Sequence, residues 1–545
     1  MVDTAPRARV GPGSAEPGLR ARVGSETGEG EVPAEGGRRP GDKPRRGPGS
    51  RAESRIGPRG RAFLCLLALT VLAFAFQGAR GIWQPDEGRY TAVALQMLES
   101  RDWVHPRLAP ELPHYTKPPL VYWGIAAAIE TFGRQEWAAR LVSILSFLGT
   151  TALVYAIALR LRAQRPGQAA LIHAMMLGPA IASGVVTTDP PLTLFETLGV
   201  FGFVALWWRD GRGRLVPSLI LGLGFGLAFL TKGPPGLLPI AAILAFAWIA
   251  RGAAGWKELL SWPGAIAFLL VGGSWYAVVI HDQPALLGHL LSEEVYARLV
   301  DPSVGRNAEW YGPFKMYLPI LLVGTLPWTV HLLRAAFGAR KLVRPERWRL
   351  ERDRDPATVF LLLWLLLPLL ALSISRSRLP LYVLPSFVPI ALLLERRAGA
   401  RWEWTRAPTA ALCAWLVLLL SVRFVLGSVE SARDARPFAR AIVAAMPTHA
   451  REIVFVDERP WYGLAFYLDS DVEQCAATEH YAATHPELER VAEEMAEDDD
   501  PRIWALNADA QTVDEFQKIA RQTGRTPREV ARWKDLVVYE TRPSP

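Results

Sequence analysis

Residues 62–88 read AFLCLLALTVLAFAFQGARGIWQPDEG. The first seventeen form an apolar run of near-spanning length, and eight residues later the chain reaches an acidic pair, Asp86-Glu87. A run of that kind reads as a membrane span. Ionised carboxylates beside hydrocarbon are costly, so the pair calls for a reason. Neither position obviously needs a carboxylate for folding, which makes both candidates for chemistry at the water–lipid boundary.

The rest of the chain supports a membrane reading. Mean hydropathy is positive, at +0.14, although the 545 residues include 61 Lys/Arg and 53 Asp/Glu. That balance suits a polytopic protein with its charges in loops. The net charge of +8 does not indicate nucleic acid, because the basic residues cluster in short loops between apolar runs. Three cysteines, at 65, 413 and 475, form no CxxC and no His/Cys cluster, so neither a disulfide framework nor a cysteine metal site is expected. Residues 1–61 are rich in Gly, Pro, Arg and Glu and carry 13 Lys/Arg against eight Asp/Glu. They read as a disordered basic tail on the cytoplasmic side. The run at 62–78 reads as an uncleaved anchor, since no small-residue cleavage site follows it.

Eleven apolar runs approach spanning length: about 62–78, 138–159, 169–186, 190–208, 215–231, 234–250, 260–280, 314–333, 357–374, 379–395 and 407–427. Thirteen is the upper bound. The stretch 119–132 is shorter and holds Glu130. Taken as a lateral helix, it leaves twenty Lys/Arg on the inner side past residue 140 and six on the outer side. This asymmetry favours an interfacial or re-entrant helix there. A second amphipathic helix is expected over 89–99. The expected fold is thus an all-α membrane bundle over 62–427, with a first outer loop at 79–137. An outward-facing soluble α/β domain follows over 428–545, with strands at 452–456, 502–506 and 536–540. The acidic run Glu493 to Asp500 reads as a solvated helix end and loop.

Under this topology the polar residues of interest collect on the outer face. They are Asp86, Glu87, Lys117, Asp189, Lys232, Arg298, Arg376, Arg378 and Tyr382. Lys and Arg bind phosphate by charge and forked hydrogen bonds. A carboxylate can take a proton from an attacking hydroxyl. Blander readings stand beside these. Asp189 could cap the helix beginning at Pro190, Lys232 could be a helix-end residue, Arg376 could snorkel, and Glu294 and Arg298 could form an i,i+4 pair.

The run PDEGRYTAVALQMLESRDWVHPRLAPELPHYTKPPLVYW resembles the first outer loop of GT-C type membrane glycosyltransferases. It is similar to the lipid A aminoarabinose transferases and to bacterial relatives of the protein O-mannosyltransferases. TTDPPLTLF, GLAFLTKGP and SRSRLPLYVLP match later motifs in order, so the resemblance covers about 62–395. It implies a multi-pass enzyme of the cytoplasmic (inner) membrane, N-terminus inside. The enzyme would move a sugar from a polyprenyl-phosphate donor to a lipid-linked or protein acceptor. It implies Asp86 as leading catalytic carboxylate with Asp189 as a second, and Lys117, Lys232, Arg298 and Tyr382 as binders of the carrier phosphate. The family's zinc ligands, an acidic residue before the KPP lysine and a later His, are replaced here by Thr116 and by Glu294-Val295-Tyr296. No metal site is therefore expected, though a divalent cation stays open. Two other readings remain: a transporter or flippase for a lipid-linked glycan, or a non-catalytic envelope scaffold. A flippase would favour charges near the bilayer midplane on broken, repeated helices. Neither sugar nor acceptor is legible.

Overall fold

The computed structural model describes residues 58–209, 211, 213–290, 292, 306–340, 344–398, 406–429, 431–446, 450–486, 488–497 and 502–543. The N-terminal tail up to residue 57, together with Glu293, Glu294 and Arg298, lies outside the described residues.

Among the described residues, seven helices are long and apolar enough to cross a membrane: Leu141–Arg160, Asp189–Trp207, Leu215–Lys232, Pro234–Arg251, Trp262–Asp282, Pro356–Ile374 and Ala407–Ser428. The four other expected runs form shorter or broken helices, one of them a bent pair that could count as an eighth span. The run at 62–78 is helical only to Phe74, and Phe76 takes a positive φ of 61° in the turn that follows. The run at 169–186 breaks at the extended Met176 into Pro166–Met175 and Leu177–Ala182. The run at 314–333 bends by 117° between Gly312–Gly324 and Thr329–Ala339, where Pro327 interrupts the backbone ladder. At 379–395, Pro380 and Pro385 impose a 3-10 turn, Pro380–Ser386, and leave only the short helix Phe387–Ala398.

Glycine decides how two spans meet. A Cβ at Gly202 would lie 2.3 Å from the Leu221 backbone nitrogen, and one at Gly224 would lie 2.2 Å from that of Gly199. Asp189–Trp207 and Leu215–Lys232 therefore pack backbone against backbone, as small residues allow in membranes. This contact holds the N-terminus of one helix beside the C-terminus of the other.

Residues 79–137 hold two lateral helices, Asp86–Ser100 and Leu120–Phe132, with a two-stranded ladder between them, β1 (Arg107–Ala109) and β2 (Leu112–Pro113). The C-terminal region forms a six-stranded sheet of β3 (Glu452–Val456), β4 (Asp471–Ala476), β5 (Glu489–Arg490), β6 (Arg502–Asn507), β7 (Arg525–Trp533) and β8 (Leu536–Pro543). Its order is β5-β4-β3-β6-β8-β7; the first four run parallel, and β8 and β7 join antiparallel. β3, β6 and β8 fall on the expected strand positions, whereas β4, β5 and β7 carry too much charge to show as apolar runs.

The sheet and the lateral helices share one apolar core. Val93, Met97, Tyr122 and Ile125 pack into the same cluster as Phe438, Ile453, Phe455 and Ile503. Polar contacts reinforce the junction. The Gly81 amide donates to the Asp434 carboxylate at 3.0 Å, the Ile82 amide to the Tyr467 hydroxyl at 2.9 Å, and Arg436 pairs with Glu136 at 2.6 Å.

Candidate active site

Asp86 and Glu87 open one helix but face different surroundings. Glu87 is buried and receives six hydrogen bonds. Arg80 meets both oxygens, at 2.6 and 2.7 Å. Arg140, fully buried, meets them at 3.0 and 3.3 Å. The amides of Trp83 and Val186 complete the set, at 2.9 and 3.0 Å. Burial alone would raise the Glu87 pKa, but the charges and hydrogen bonds of Arg140 and Arg80 outweigh it and hold the carboxyl at about 2. Glu87 is thus a permanently ionised clamp. Through Val186 and the Arg80–Gly184 bond of 2.6 Å it also fixes the loop that runs into Asp189.

Asp86 is half exposed and, among the described residues, paired with Arg89 alone, one turn on. It lies near Tyr90, a buried phenol whose hydroxyl meets Thr188 and which senses Lys232, Asp189 and Asp86 together. Tyr90 marks the place where the helix Asp86–Ser100 comes near the ends of the two glycine-packed spans.

At those ends, Lys232 Nζ lies 2.5 Å from Asp189 Oδ1 and 4.0 Å from the Tyr382 ring centroid. Thr187 Oγ1 donates to the other Asp189 oxygen at 3.1 Å. The helix begins at Asp189 itself, and no side-chain cap bond is made. The carboxylate therefore serves the lysine and does not cap the helix. Lys232 ends its helix because Gly233 follows with a positive φ of 71°, a conformation that suits glycine. The 3-10 turn Pro234–Leu237 then leads into the next span.

Lys232 opens onto a cavity of about 560 Å³. Lys117, Thr116, Tyr382, Ser375 and Ser377 supply polar lining, and Phe229, Trp275, Tyr276 and Trp364 supply apolar walls. Lys117 Nζ donates to the Thr116 carbonyl at 2.6 Å. The sequence reading missed Glu196, a buried carboxyl on the cavity wall seven residues beyond Asp189. Its signal was available, since Glu196 is the lone charge in the apolar run 190–208.

Arg378 stands apart from this group. Its guanidinium donates to the carbonyls of Asn307, Glu309 and Ser373 at 2.7–2.9 Å, so it ties the 307–309 turn to the end of a span. It does not line the cavity. Of the two positions that correspond to zinc ligands, 294–296 lie outside the described residues and the other is Thr116. Thr116 hydrogen-bonds His114 at 2.8 Å, and burial, with Arg89 and Lys117 nearby, pushes the His114 pKa down to about 3. Among the described residues, the acidic cluster with metal-ligand spacing is Glu452 and Glu473, on β3 and β4, with Glu494 on the helix Val491–Glu497.

Known proteins match this geometry. Residues 116–276 match the family described as dolichyl-phosphate-mannose-protein mannosyltransferase. The chain is 34% identical over 375 residues to an undecaprenyl phosphate-alpha-4-amino-4-deoxy-L-arabinose arabinosyl transferase of Pseudomonas fluorescens, covering 67% of this chain and 64% of that one. A relative of the same description from Sodalis glossinidius is 33% identical over 353 residues, covering 62% and 60%. The chain thus spans somewhat less than two thirds of the length of these relatives. In fold it is similar to ArnT from Cupriavidus metallidurans, solved with undecaprenyl phosphate, with a TM-score of 0.67 at 20% identity over 89% of this chain and 98% of that one. The Archaeoglobus fulgidus oligosaccharyltransferase aligns with a TM-score of 0.52 at 12% identity, over 86% and 70%. The motif resemblance to aminoarabinose transferases and protein mannosyltransferase relatives is thereby borne out, with the family match resting on residues 116–276.

Proposed function

We propose that the protein is a glycosyltransferase of the cytoplasmic membrane. It moves a sugar from a polyprenyl-phosphate donor to an acceptor at the outer face, with the C-terminal sheet on that face. The observation that carries this reading is the meeting of Asp189, Lys232 and Tyr382 at the mouth of an apolar-walled cavity beside the Asp86 helix. The relatives named above act on an undecaprenyl-phosphate sugar, which favours a pentose or related sugar and a lipid A-type acceptor.

The acceptor oxygen attacks the anomeric carbon, and its proton, where it has one, passes to Asp86. The bond from that carbon to the phosphate oxygen breaks with its electron pair on the phosphate. Lys232, Lys117 and Arg298 hold the leaving polyprenyl phosphate, and Tyr382 and Asp189 orient Lys232. Preorganised cations are worth most in a water-poor site such as this one. Glu87 and Arg378 act here as architecture: the first fixes the loop before Asp189, the second the turn beside the cavity. A flippase is disfavoured because Asp189, Lys232 and Tyr382 gather at one end of the bundle.

The test is to reconstitute the full chain in liposomes with polyprenyl-phosphate sugars and envelope lipid acceptors, and to read products by mass spectrometry. A product heavier by one sugar residue, with free polyprenyl phosphate released, is expected. Movement of intact donor across the bilayer without transfer would support the flippase instead.

A further inference from the structure

Glu196 is 3% exposed, lies on a membrane-spanning helix and borders the cavity. Positions 189, 192, 193 and 196 share one helix face, so Glu196 sits beneath Asp189 by two turns, about 10 Å along the axis. Leu192, between them, lines the same cavity. The charged groups near Glu196 are Lys232 and Asp189, and Lys232 is already bonded to Asp189 at 2.5 Å. Among the described residues Glu196 makes no hydrogen bond, although its carboxyl adjoins open space. A buried carboxyl without a partner is costly in protein and more so at membrane depth. A helix gains nothing from it there, since Leu or Met would fill the wall at no such cost. The carboxyl is better explained by a polar group that arrives with a ligand.

We propose that Glu196 is a specificity-determining residue that contacts the donor. Its carboxyl hydrogen-bonds a donating group, an ammonium or a hydroxyl, on the sugar head of a polyprenyl-phosphate sugar held in this cavity. The hydroxyl-bearing residues Thr116, Ser375, Ser377 and Tyr382 on the cavity wall suit the same head. The inference rests on the transferase reading. It adds a prediction that reading lacks, namely that sugar identity is sensed on the helix that begins at Asp189. A site built to pair a polar group discriminates strongly against a ligand that lacks it.

The test uses full-length wild type, Glu196→Gln and Glu196→Leu in liposomes. Two measurements are made. The first is binding of polyprenyl phosphate without sugar, read by intrinsic fluorescence, since Trp275 and Trp364 line the cavity. The second is transfer from two donors, one bearing an amino sugar and one a neutral sugar. Glu196→Leu is expected to bind the bare carrier within about twofold of wild type while its KM for the preferred donor rises about 10- to 100-fold, the size of a lost hydrogen bond to a charged group. Glu196→Gln separates the sources: it retains transfer of a sugar held through a hydroxyl and loses that of a sugar held through an ammonium. Unchanged KM for both donors in both variants overturns the inference alone. So does an equal loss of bare-carrier binding, which marks a structural role. A wild type that transfers from neither donor overturns the transferase reading and the inference with it.

Discussion

Two buried ionic clusters lie close together in this molecule, and they differ in how completely they are satisfied. Around Glu87 every carboxylate lone pair has a donor, and the Arg140 guanidinium meets three backbone carbonyls besides. Around Lys232 the network is open: one lysine, two carboxyls, an aromatic face and a cavity. Saturation of this kind fixes structure, because no group is left to bind a ligand. Incomplete pairing beside open space leaves capacity that a substrate can use. The contrast also separates Asp86 from Glu87, adjacent residues of one motif. One is half exposed with a single surface partner, and the other is sealed.

The largest effect should come from breaking the sealed cluster. Glu87→Gln leaves the fully buried Arg140 without its anion, which typically costs about 3–5 kcal/mol, and Arg140→Met removes two of the six bonds to Glu87 and leaves it to Arg80. Thermal unfolding in detergent should show a large drop, or no folded protein, for Glu87→Gln. A change of only a degree or two would show that the clamp is not structural. The open cluster should behave differently. Lys232→Met leaves Asp189 with Thr187 and an open cavity beside it, so its unfolding midpoint should fall by less than that of Glu87→Gln, while carrier-phosphate binding weakens about 10- to 100-fold, as for one charge-assisted contact. A loss of stability comparable to that of Glu87→Gln would erase the distinction between the clusters.

The pH dependence sharpens the same comparison. The folded-state pKa of Glu87 is depressed to about 2, below the ordinary carboxylate value. Its contribution to stability is complete above about pH 4.3 and is lost as pH falls toward 2. Wild type should lose stability across that window, and Glu87→Gln should show a flatter profile. A smaller effect of opposite sign is expected at Asp471, where the C-terminal sheet meets the first lateral helix through Gln96. Burial, with Glu99 and Glu452 nearby, raises this carboxyl to about 6. A raised carboxylate pKa means that stability falls as pH climbs through that value. Asp471→Asn should remove this slope between pH 4 and 7, an effect below about 1 kcal/mol because the group is partly solvated.

How much of this was legible in the sequence depends on the range of the interaction. Local signals were read well. The apolar runs of seven spans, the lateral helices around 89–99 and 119–132, and the β-rich runs of β3, β6 and β8 all follow from periodicity and length. The breaks at Pro327 and Pro380 were not legible, because hydropathy does not register a missing amide donor. Pairings over long sequence distances were the least legible. Arg140 reads as a flank of a span, and nothing local links it to Glu87, 53 residues earlier. Lys232 and Asp189 are 43 residues apart and meet because Gly199, Gly202 and Gly224 bring two helices into backbone contact. Glu196 was visible as a lone acid in an apolar run but had no motif around it to give it meaning.

The most direct test of the central claim is the initial rate of sugar transfer by Asp86→Asn, measured beside wild type at equal protein in the same liposomes. General-base assistance is worth about 10²–10⁴-fold. The expected result is a rate at least 100-fold lower, with carrier-phosphate binding and the unfolding midpoint unchanged, because Asp86 is half exposed and outside the sealed cluster. Transfer at the wild-type rate would contradict the account and remove Asp86 from the chemistry.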